Sequence, residues 1–410
     1  MKHTVLKDKH IVLGVCGGIA AYKSVELVRR LKKLGARVRV IMTESAARFV
    51  GPMTFAVLSE NPVCRDLFDD QDEAAIRHID WAEAAQAVII APATANTVAK
   101  LASGIADDAL STFMLAVTCP VMICPSMNSN MFEHPATQRN LDRLAADGCQ
   151  ILAPGVGELA CKTTGPGRLP EPEEIVDRLI SFLTPDDLAG KRVLVTAGPT
   201  REAIDPVRFI SNPSSGKMGY AIARAAENRG ATVTLVSGPV ALPPPLNVDV
   251  VPVVSVEEMA QAVFARVDQA DVIVKVAAVS DYRPAISEPH KVKKGEGDIQ
   301  LTLTRTTDIL KSIGQRKRDG QILVGFAAET RDMETYARQK VVAKHLDMIA
   351  ANLIGPPDSG FSADTNRMTL FFADGRKTVL DVMDKDDVAH HILDEVVAMI
   401  RGAKTAPAGD

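Results

Sequence analysis

Short runs of β-branched and aliphatic residues recur along the chain at intervals long enough to hold a helix, and they do so in two series. "HIVLGVC" (10–16), "RVRVIMT" (37–43), "AVIIAP" (87–92), "PVMICP" (120–125) and "CQILAP" (149–154) form the first. Runs apolar at nearly every position read as strands buried on both faces. Helix-length spacing between them demands crossover connections, so a parallel sheet clad in helices is the expected outcome. After a short polar connector, "TPDDLAGK" (184–191), "RVLVTAG" (192–198), "ATVTLVSG" (231–238) and "DVIVKVAAV" (271–279) open a second α/β series. A chain of 410 residues exceeds what one core usually organises. The expected division is an α/β domain over 1–183, a linker over 184–190, a second α/β domain over 191–403 and a frayed tail over 404–410.

Composition narrows the partners. The formal charge of −4 gives no electrostatic argument for nucleic acid or an anionic membrane. The charged start "MKHTVLKDKHIVLG" runs straight into a strand pattern rather than a signal-peptide apolar region. The longest apolar runs, "AVIIAPATA" and "FMLAVTCPVMIC", fall short of the roughly 18 residues of a membrane span. A cytoplasmic protein is expected. All six cysteines lie in the first 161 residues, without Cys-x-x-Cys spacing or a histidine placed for a zinc motif. Free thiols are the expectation in a reducing cytosol. Cys161 stands apart from the others, in the Gly/Pro/Thr-rich loop "ACKTTGPGRLP" (160–170).

Three strand-to-helix junctions in the first half carry candidate chemistry. "GVCGGIAAYKS" follows the first strand and opens a helix, turning backbone N–H groups toward whatever binds the strand's carboxyl edge. It is not Gly-x-Gly-x-x-Gly, so a dinucleotide is not the natural ligand. "APATANTVAKLASGIADDALST" (91–112) places Thr94, Asn96 and Thr97 at a second junction, and "CPSMNSNMFEHPATQ" (124–138) places Asn128 at a third. Taken singly, the glycines could serve only packing, Asn128 a helix cap, His78 of "RHIDWAE" a surface role, and Cys161 none.

Taken together, "GGIAAYK", "APATANT", "P-x-MN-x-x-M" and "AC…GPGR" occur in the order that marks the flavin-dependent cysteine decarboxylase family, in its phosphopantothenoylcysteine decarboxylase branch. The resemblance spans residues 10–182. It implies a flavodoxin-like or Rossmann-like homo-oligomeric domain holding FMN, with trimers gathered into a dodecamer and FMN sites at subunit interfaces. Gly17, Gly18, Thr94, Asn96 and Thr97 would cradle the cofactor, with Thr43 near its phosphate. His78 would be the catalytic histidine, Asn128 would hold the substrate carboxylate, and Cys161 would protonate an intermediate. The chemistry needs such groups. Oxidising the cysteine side chain to a thioaldehyde puts an electron sink beta to the carboxylate, so CO2 can leave as an enethiolate forms. That enethiolate must then be reduced and protonated, a task suited to a thiol on a Gly/Pro loop. Three positions depart from the family pattern: Lys162 stands where glycine is usual, Leu169 where methionine is, and Ala84–Gln86 where "WAD" is.

The second half carries "TAGPTREAIDPVRFISNPSSGKMGYAIA" (196–223), the most specific stretch in the chain. Ser214, Ser215 and Gly216 at a helix start offer hydroxyls and backbone N–H groups, a phosphate nest or simply a helix cap. "HKVKKGEGD" (290–298) read alone is a solvated charge run, and Lys340 and Lys344 lie four apart, able to address one anion. No Walker A loop is present. This half resembles the phosphopantothenate–cysteine ligase family across about 190–402, a Rossmann-like fold. The resemblance implies that CTP and Mg2+ are used and that Asn212 contacts the acyl intermediate. Lys291 would be the essential phosphate lysine, Asp281 and Phe326 would lie near the nucleotide, and Ala277 would line the site through its backbone. Lys340 and Lys344 would add to the CTP site, and Asp281 is the candidate Mg2+ ligand. The residues themselves do not select cytosine.

The combined expectation is a bifunctional enzyme joining 4′-phosphopantothenate to L-cysteine with CTP, then decarboxylating 4′-phosphopantothenoylcysteine to 4′-phosphopantetheine. A peptide-cysteine decarboxylase is one rival but leaves the second half unexplained. A regulatory flavin-binding protein is another, and need not retain His78, Asn128 and Cys161 beside a complete ligase half.

Overall fold

The computed structural model describes residues 5–66, 77–158, 164–293, 300–353 and 363–402, without the side chains of Arg77 and His78. The chain divides into two compact units, Lys2–Thr184 and Pro185–Asp410.

The first unit opens with β1 (His10–Val15), α1 (Ala21–Lys33), β2 (Arg37–Met42), α2 (Pro52–Ser59) and β3 (Val63–Cys64). Next come α3 (Arg77–Ala84), β4 (Ala87–Ala93), α4 (Ala95–Ser103), α5 (Ala109–Ala116) and β5 (Val121–Pro125). It closes with α6 (Ser129–Glu133), α7 (Pro135–Ala146), β6 (Gln150–Ile151), β7 (Gly155–Glu158), β8 (Thr164–Arg168) and α8 (Pro172–Leu183). Six strands pair in the order β3-β2-β1-β4-β5-β6, all parallel, which is the doubly wound dinucleotide-fold order. Alternation along β1 separates two cores. Ile11, Leu13 and Val15 face α1 and α8, while Val12 and Cys16 face the layer holding Val98, Leu110 and Phe113. Both sets are apolar because both faces are covered.

The second unit contains β9 (Arg192–Ala197), β10 (Arg201–Ala203), β11 (Phe209–Ser211), α9 (Lys217–Glu227), β12 (Thr232–Ser237) and β13 (Asp249–Pro252). It continues through α10 (Val256–Phe264), β14 (Val272–Lys275), β15 (Tyr282–Pro284), β16 (Leu303–Arg305), α11 (Ile309–Arg316) and β17 (Ile322–Glu329). The last elements are α12 (Met333–Ala343), β18 (Met348–Leu353), β19 (Thr365–Asn366), β20 (Thr369–Phe372), β21 (Lys377–Val379), β22 (Met383–Asp384) and α13 (Lys385–Ile400). Its sheet runs β13-β12-β9-β14-β17-β18-β20-β21. The first six strands repeat the parallel order of the first unit, and β20 and β21 extend it antiparallel. Each sheet therefore reverses its winding at one point, between β1 and β4 and between β9 and β14. That is where an open α/β sheet leaves a crevice at its carboxyl edge.

The segment expected to be a linker is not a free one. Thr184 closes α8, its hydroxyl donating to Ile180 O at 2.6 Å. Leu188 is fully buried in the second unit's core. Asp187 accepts two bonds from the guanidinium of buried Arg229, at 2.7 and 2.6 Å. Asp394 of α13 takes a third at 2.8 Å. A buried guanidinium is tolerable only when paired this fully, so the connector is part of the second unit's structure. The expected strands "CQILAP" and "DVIVKVAAV" shorten to Gln150–Ile151 and Val272–Lys275, because the chain leaves the sheet to build loops at its edge.

Candidate active sites

The first crevice is framed by the ends of three strands. Beyond β1, Gly17 and Gly18 lead into α1. An added Cβ at Gly17 would lie 2.3 Å from Ser45 Cβ and 2.8 Å from the Ser45 carbonyl carbon, so this glycine is required by protein packing. At Gly18 the nearest protein atom to such a carbon is Thr94 Cγ2, at 3.9 Å, so packing makes no such demand there. Gly17→Ala is therefore expected to lower stability by about 1–3 kcal/mol through overpacking, measured as a shift in thermal midpoint. Gly18→Ala is expected to keep the midpoint and, if the loop cradles a flavin as the resemblance implies, to lower flavin occupancy. Equal flavin content in wild type and Gly18→Ala would remove Gly18 from the cradle.

Beyond β4, Thr94 caps α4 by accepting from the backbone N–H of Thr97 at 3.3 Å, a bond of about 1 kcal/mol. Its hydroxyl also lies 3.2 Å from that of Thr97, which is buried. Asn96 is exposed in the first turn of the same helix. Beyond β2, Thr43 Oγ1 accepts from Ala46 N at 3.2 Å. Beyond β5, Asn128 caps α6, its Oδ1 accepting from Asn130 N at 2.9 Å. The bland reading of Asn128 as a cap is thus correct as far as it goes. The cap also fixes the residue's orientation at the crevice.

These junctions meet. Gly17, Gly18, Thr43, Thr94, Asn96, Thr97 and Asn128 line one cavity of about 830 Å³. The β7–β8 hairpin closes one side, with Met127 N donating to Gly167 O at 3.0 Å and Ser126 Oγ to the same oxygen at 3.3 Å. Arg168 and Leu169 reach the cavity as well. His78 stands in the first turn of α3, and its side chain lies outside the described residues, as do Cys161 and Lys162.

The other departures from the family pattern make packing and backbone contacts. Leu169 is buried in the core, and its carbonyl accepts Lys23 Nζ at 3.0 Å. Gln86 pairs with the start of β1 in both directions: Gln86 N to His10 O at 2.8 Å, and His10 N to Gln86 Oε1 at 3.1 Å.

Sequence reasoning missed two charged groups here. Lys23 of α1 is buried and ties Leu169 O and Glu171 (2.7 Å) to the helix, anchoring the chain after β8. Lys100 bridges Asp107 at 2.6 Å and Asp108 at 2.8 Å on the cavity wall. Those hydrogen bonds raise the Lys100 pKa. An i, i+7 and i, i+8 spacing across a helix break carries no sequence signature, so neither link was visible. Cys16, behind the loop, is a buried thiol pushed up to about 11 by loss of hydration, which makes it inert.

The second crevice lies between β9 and β14. Pro199 bridges to Ala278 across it, and Ala278 N donates to Gly198 O at 2.9 Å. Asn212 Nδ2 donates to Ala278 O at 3.1 Å, and Ala277 N to Thr196 Oγ1 at 3.1 Å. Gly216 is the N-cap of α9 at φ +78°, with room for no Cβ beside Val240 Cγ1 at 2.7 Å. Ser214 Oγ accepts from Gly216 N at 3.4 Å, so part of the expected nest is already engaged as a turn. Ser215 precedes Gly216 at the same helix start. Phe326 lies on β17 and Asp281 is exposed beyond β14, its carbonyl accepting Thr306 N at 3.0 Å.

Lys340 and Lys344 do not share a partner. Lys344 sits at the C-cap of α12 and pairs with Asp308 at 2.9 Å, while Lys340 pairs with Glu329 at 2.6 Å. A further lysine, Lys275, is the last residue of β14, in register with Thr196 and Gly325. Its Nζ donates to Ala277 O at 3.1 Å. Loss of hydration holds its pKa down to about 8, helped by Lys344 and Lys340 and opposed by Asp308 and Asp281. Sequence reading passed over it as one residue of an apolar run. Lys291 is exposed on the loop before 294. Among the described residues no group of three or more His, Cys, Asp or Glu could hold a metal ion. A Mg2+ carried on nucleotide phosphates needs only one or two carboxylates, so this leaves the expectation for Asp281 where it was. A cavity of about 910 Å³ opens at the opposite edge of this sheet, lined by Lys317, Arg318 and Asp347 among others. No site candidate reaches it.

Two α/β units, each with a crevice where its sheet reverses winding, define the class. A flavoprotein family model matches residues 2–184, and the DNA/pantothenate metabolism flavoprotein C-terminal domain matches 188–400. The chain belongs to the family of coenzyme A biosynthesis bifunctional proteins. It is 50% identical to the member named CoaBC from Bacillus subtilis (strain 168), over 96% of this chain and 98% of that one. To CoaBC of Escherichia coli (strain K12) it is 48% identical over 96% and 97%. A crystal structure of the C-terminal domain of a CoaBC is 46% identical, covering 53% of this chain and 99% of that one, with a TM-score of 0.46. No helix among the described residues is long and apolar enough to cross a membrane.

Proposed function

We propose that this chain catalyses two consecutive steps of coenzyme A biosynthesis, the second unit as a ligase and the first as a decarboxylase. The observation that carries the reading is 50% identity to a bifunctional relative along 96% of the chain. The ligase step joins 4′-phosphopantothenate to L-cysteine. The carboxylate attacks the α-phosphate of CTP, pyrophosphate leaves with its electron pair, and the amine of cysteine then displaces CMP from the acyl carbon. Negative charge accumulates on the phosphates, and Lys291, Lys340, Lys344 and Lys275 are the cations that would stabilise it, while Asp281 would hold a Mg2+ that adds charge neutralisation. Asn212 and the backbone at Ala277 orient the acyl group, while Ser214, Ser215 and Gly216 face the nucleotide.

The first crevice suits FMN: a glycine pair without side chains, a capped helix start and a cavity large enough for a tricyclic ring. Gly17, Gly18, Thr94, Asn96 and Thr97 would hold the cofactor and Thr43 its phosphate. FMN supplies a two-electron oxidation and its reversal. Asn128 orients the substrate carboxylate, His78 serves as acid–base group and Cys161 donates the late proton. Ile19 and Tyr22, both more than 60% exposed on the cavity rim, support burial of this edge in a homo-oligomer, trimers within a dodecamer. The substrates are small molecules of the cytoplasm.

Pyrophosphate release by purified protein tests the reading. It should require phosphopantothenate, cysteine and CTP, with ATP a poor substitute, and the protein should carry a flavin spectrum. Nucleotide affinity should weaken as pH rises through about 8, because Lys275 is charged below that value and neutral above it. No pyrophosphate with the full substrate set would refute the ligase assignment. A protein unable to take up FMN would refute the decarboxylase.

A further inference from the structure

The stretch "REAIDPVRF" lies inside the most specific motif of the second half, yet nothing above uses its carboxylate. Asp205 sits in the turn joining β10 to β11, where an aspartate is ordinarily wet, but its side chain is 0% exposed. Its Oδ1 accepts from the backbone N–H groups of Val207 at 2.9 Å and Arg208 at 2.8 Å, which closes the turn. Its Oδ2 accepts from Arg208 Nε at 3.0 Å and Nη2 at 2.5 Å. That pairing holds the carboxyl well below the usual carboxylate range.

Closing the hairpin needs nothing more, but Oδ2 takes one further bond, from the backbone N–H of Val292 at 3.1 Å. Arg208 Nη2 donates to the carbonyl of the same residue at 3.0 Å. Val292 is thus gripped at both its N–H and its C=O by a side-chain pair more than eighty residues away in sequence. Glu288 N donates to Ile204 O at 2.9 Å, a second tie between the same two segments. The residue beside the grip is Lys291.

We propose that Asp205, with Arg208, is a positioning residue for ligation, clamping the Val292 peptide so that Lys291 is held ready for the nucleotide phosphates. The inference rests on the reading of Lys291 given above. A lysine on an exposed loop must surrender backbone freedom to hold an anion, and a clamped neighbouring peptide removes that cost beforehand. An unpaired aspartate beside an anion site would repel the ligand. Arg208 neutralises it, so the clamp adds no net negative charge.

A double-mutant cycle on the full-length protein, read as the dissociation constant for CTP, tests the coupling. Asp205→Asn keeps the Oδ1 acceptor for the turn and replaces the atom that accepts from Val292. It is expected to weaken CTP binding about tenfold, given how steeply misplacement of a binding group is penalised. In a Lys291→Gln background the same change should cost less than twofold. Losses that multiply, or an Asp205→Asn protein that binds CTP like wild type, overturn the clamp while leaving Lys291 in place. CTP binding untouched by Lys291→Gln overturns the reading of Lys291 and the clamp with it. Should Asp205→Asn not fold, hydrogen exchange on the wild type decides. The Val292 amide should exchange at least tenfold more slowly than those of Lys291 and Lys293, and an equally fast Val292 amide overturns the proposal.

Discussion

Replacing Lys291 by glutamine is expected to lower ligation about a thousandfold and leave decarboxylation of supplied 4′-phosphopantothenoylcysteine at the wild-type rate. Glutamine keeps most of the side chain's length and its hydrogen-bonding tip while removing the charge. Losing one preorganised cation from a site where phosphate charge develops costs about 10²–10³ in rate. Lys291 is exposed, so the change deletes no core contact, and the first unit has cores of its own. Pyrophosphate release reports the first reaction and CO2 release the second. Loss of both activities would point to unfolding, and retention of both would take Lys291 out of the mechanism.

Asn128→Asp is expected to reduce CO2 release about a thousandfold with a stability change within about 0.5 kcal/mol. The structure makes this substitution more informative than alanine. Aspartate caps a helix as well as asparagine does, so the bond from Asn130 N survives. What changes is charge. A carboxylate now stands where the substrate's carboxylate is to be held, and like charges at that separation oppose binding. Flavin content and thermal midpoint should match wild type while the decarboxylation rate falls. If Asn128 is only a cap, the variant will work normally.

How much of this was legible beforehand follows from what each signal depends on. Strand runs and helix spacing depend on burial alone, so both sheets could be read from residues such as Ile11, Leu13 and Val15 without knowing their neighbours. Junction residues were legible too: a strand followed by Thr94 or Asn128 and then a helix defines a crevice lining from local chemistry. What stayed hidden are pairings set by tertiary closure. Lys23 on Glu171, Gln86 on His10 and Asp205 on Val292 join segments tens of residues apart, and no periodicity announces them. Lys275 was hidden differently. Its type was visible, but an apolar run offers no hint that the lysine within it ends a strand and feels other cations. The contacts of the connector were hidden for a related reason. "TPDDLAGK" is polar in composition, yet Leu188 and Asp187 each fill a specific place in the second unit.

That last point bears on anyone who would separate the halves for study. A ligase fragment beginning at the first residue of β9 looks natural on a strand map, but it discards Leu188 and Asp187 together. Arg229, whose side chain is 6% exposed, would keep only its bonds to α13, and the core would lose an apolar plug. An under-compensated buried guanidinium is among the costlier defects a small domain can carry, about 3–5 kcal/mol. The seam in this chain runs between Thr184 and Pro185, seven residues ahead of the first strand of the second half.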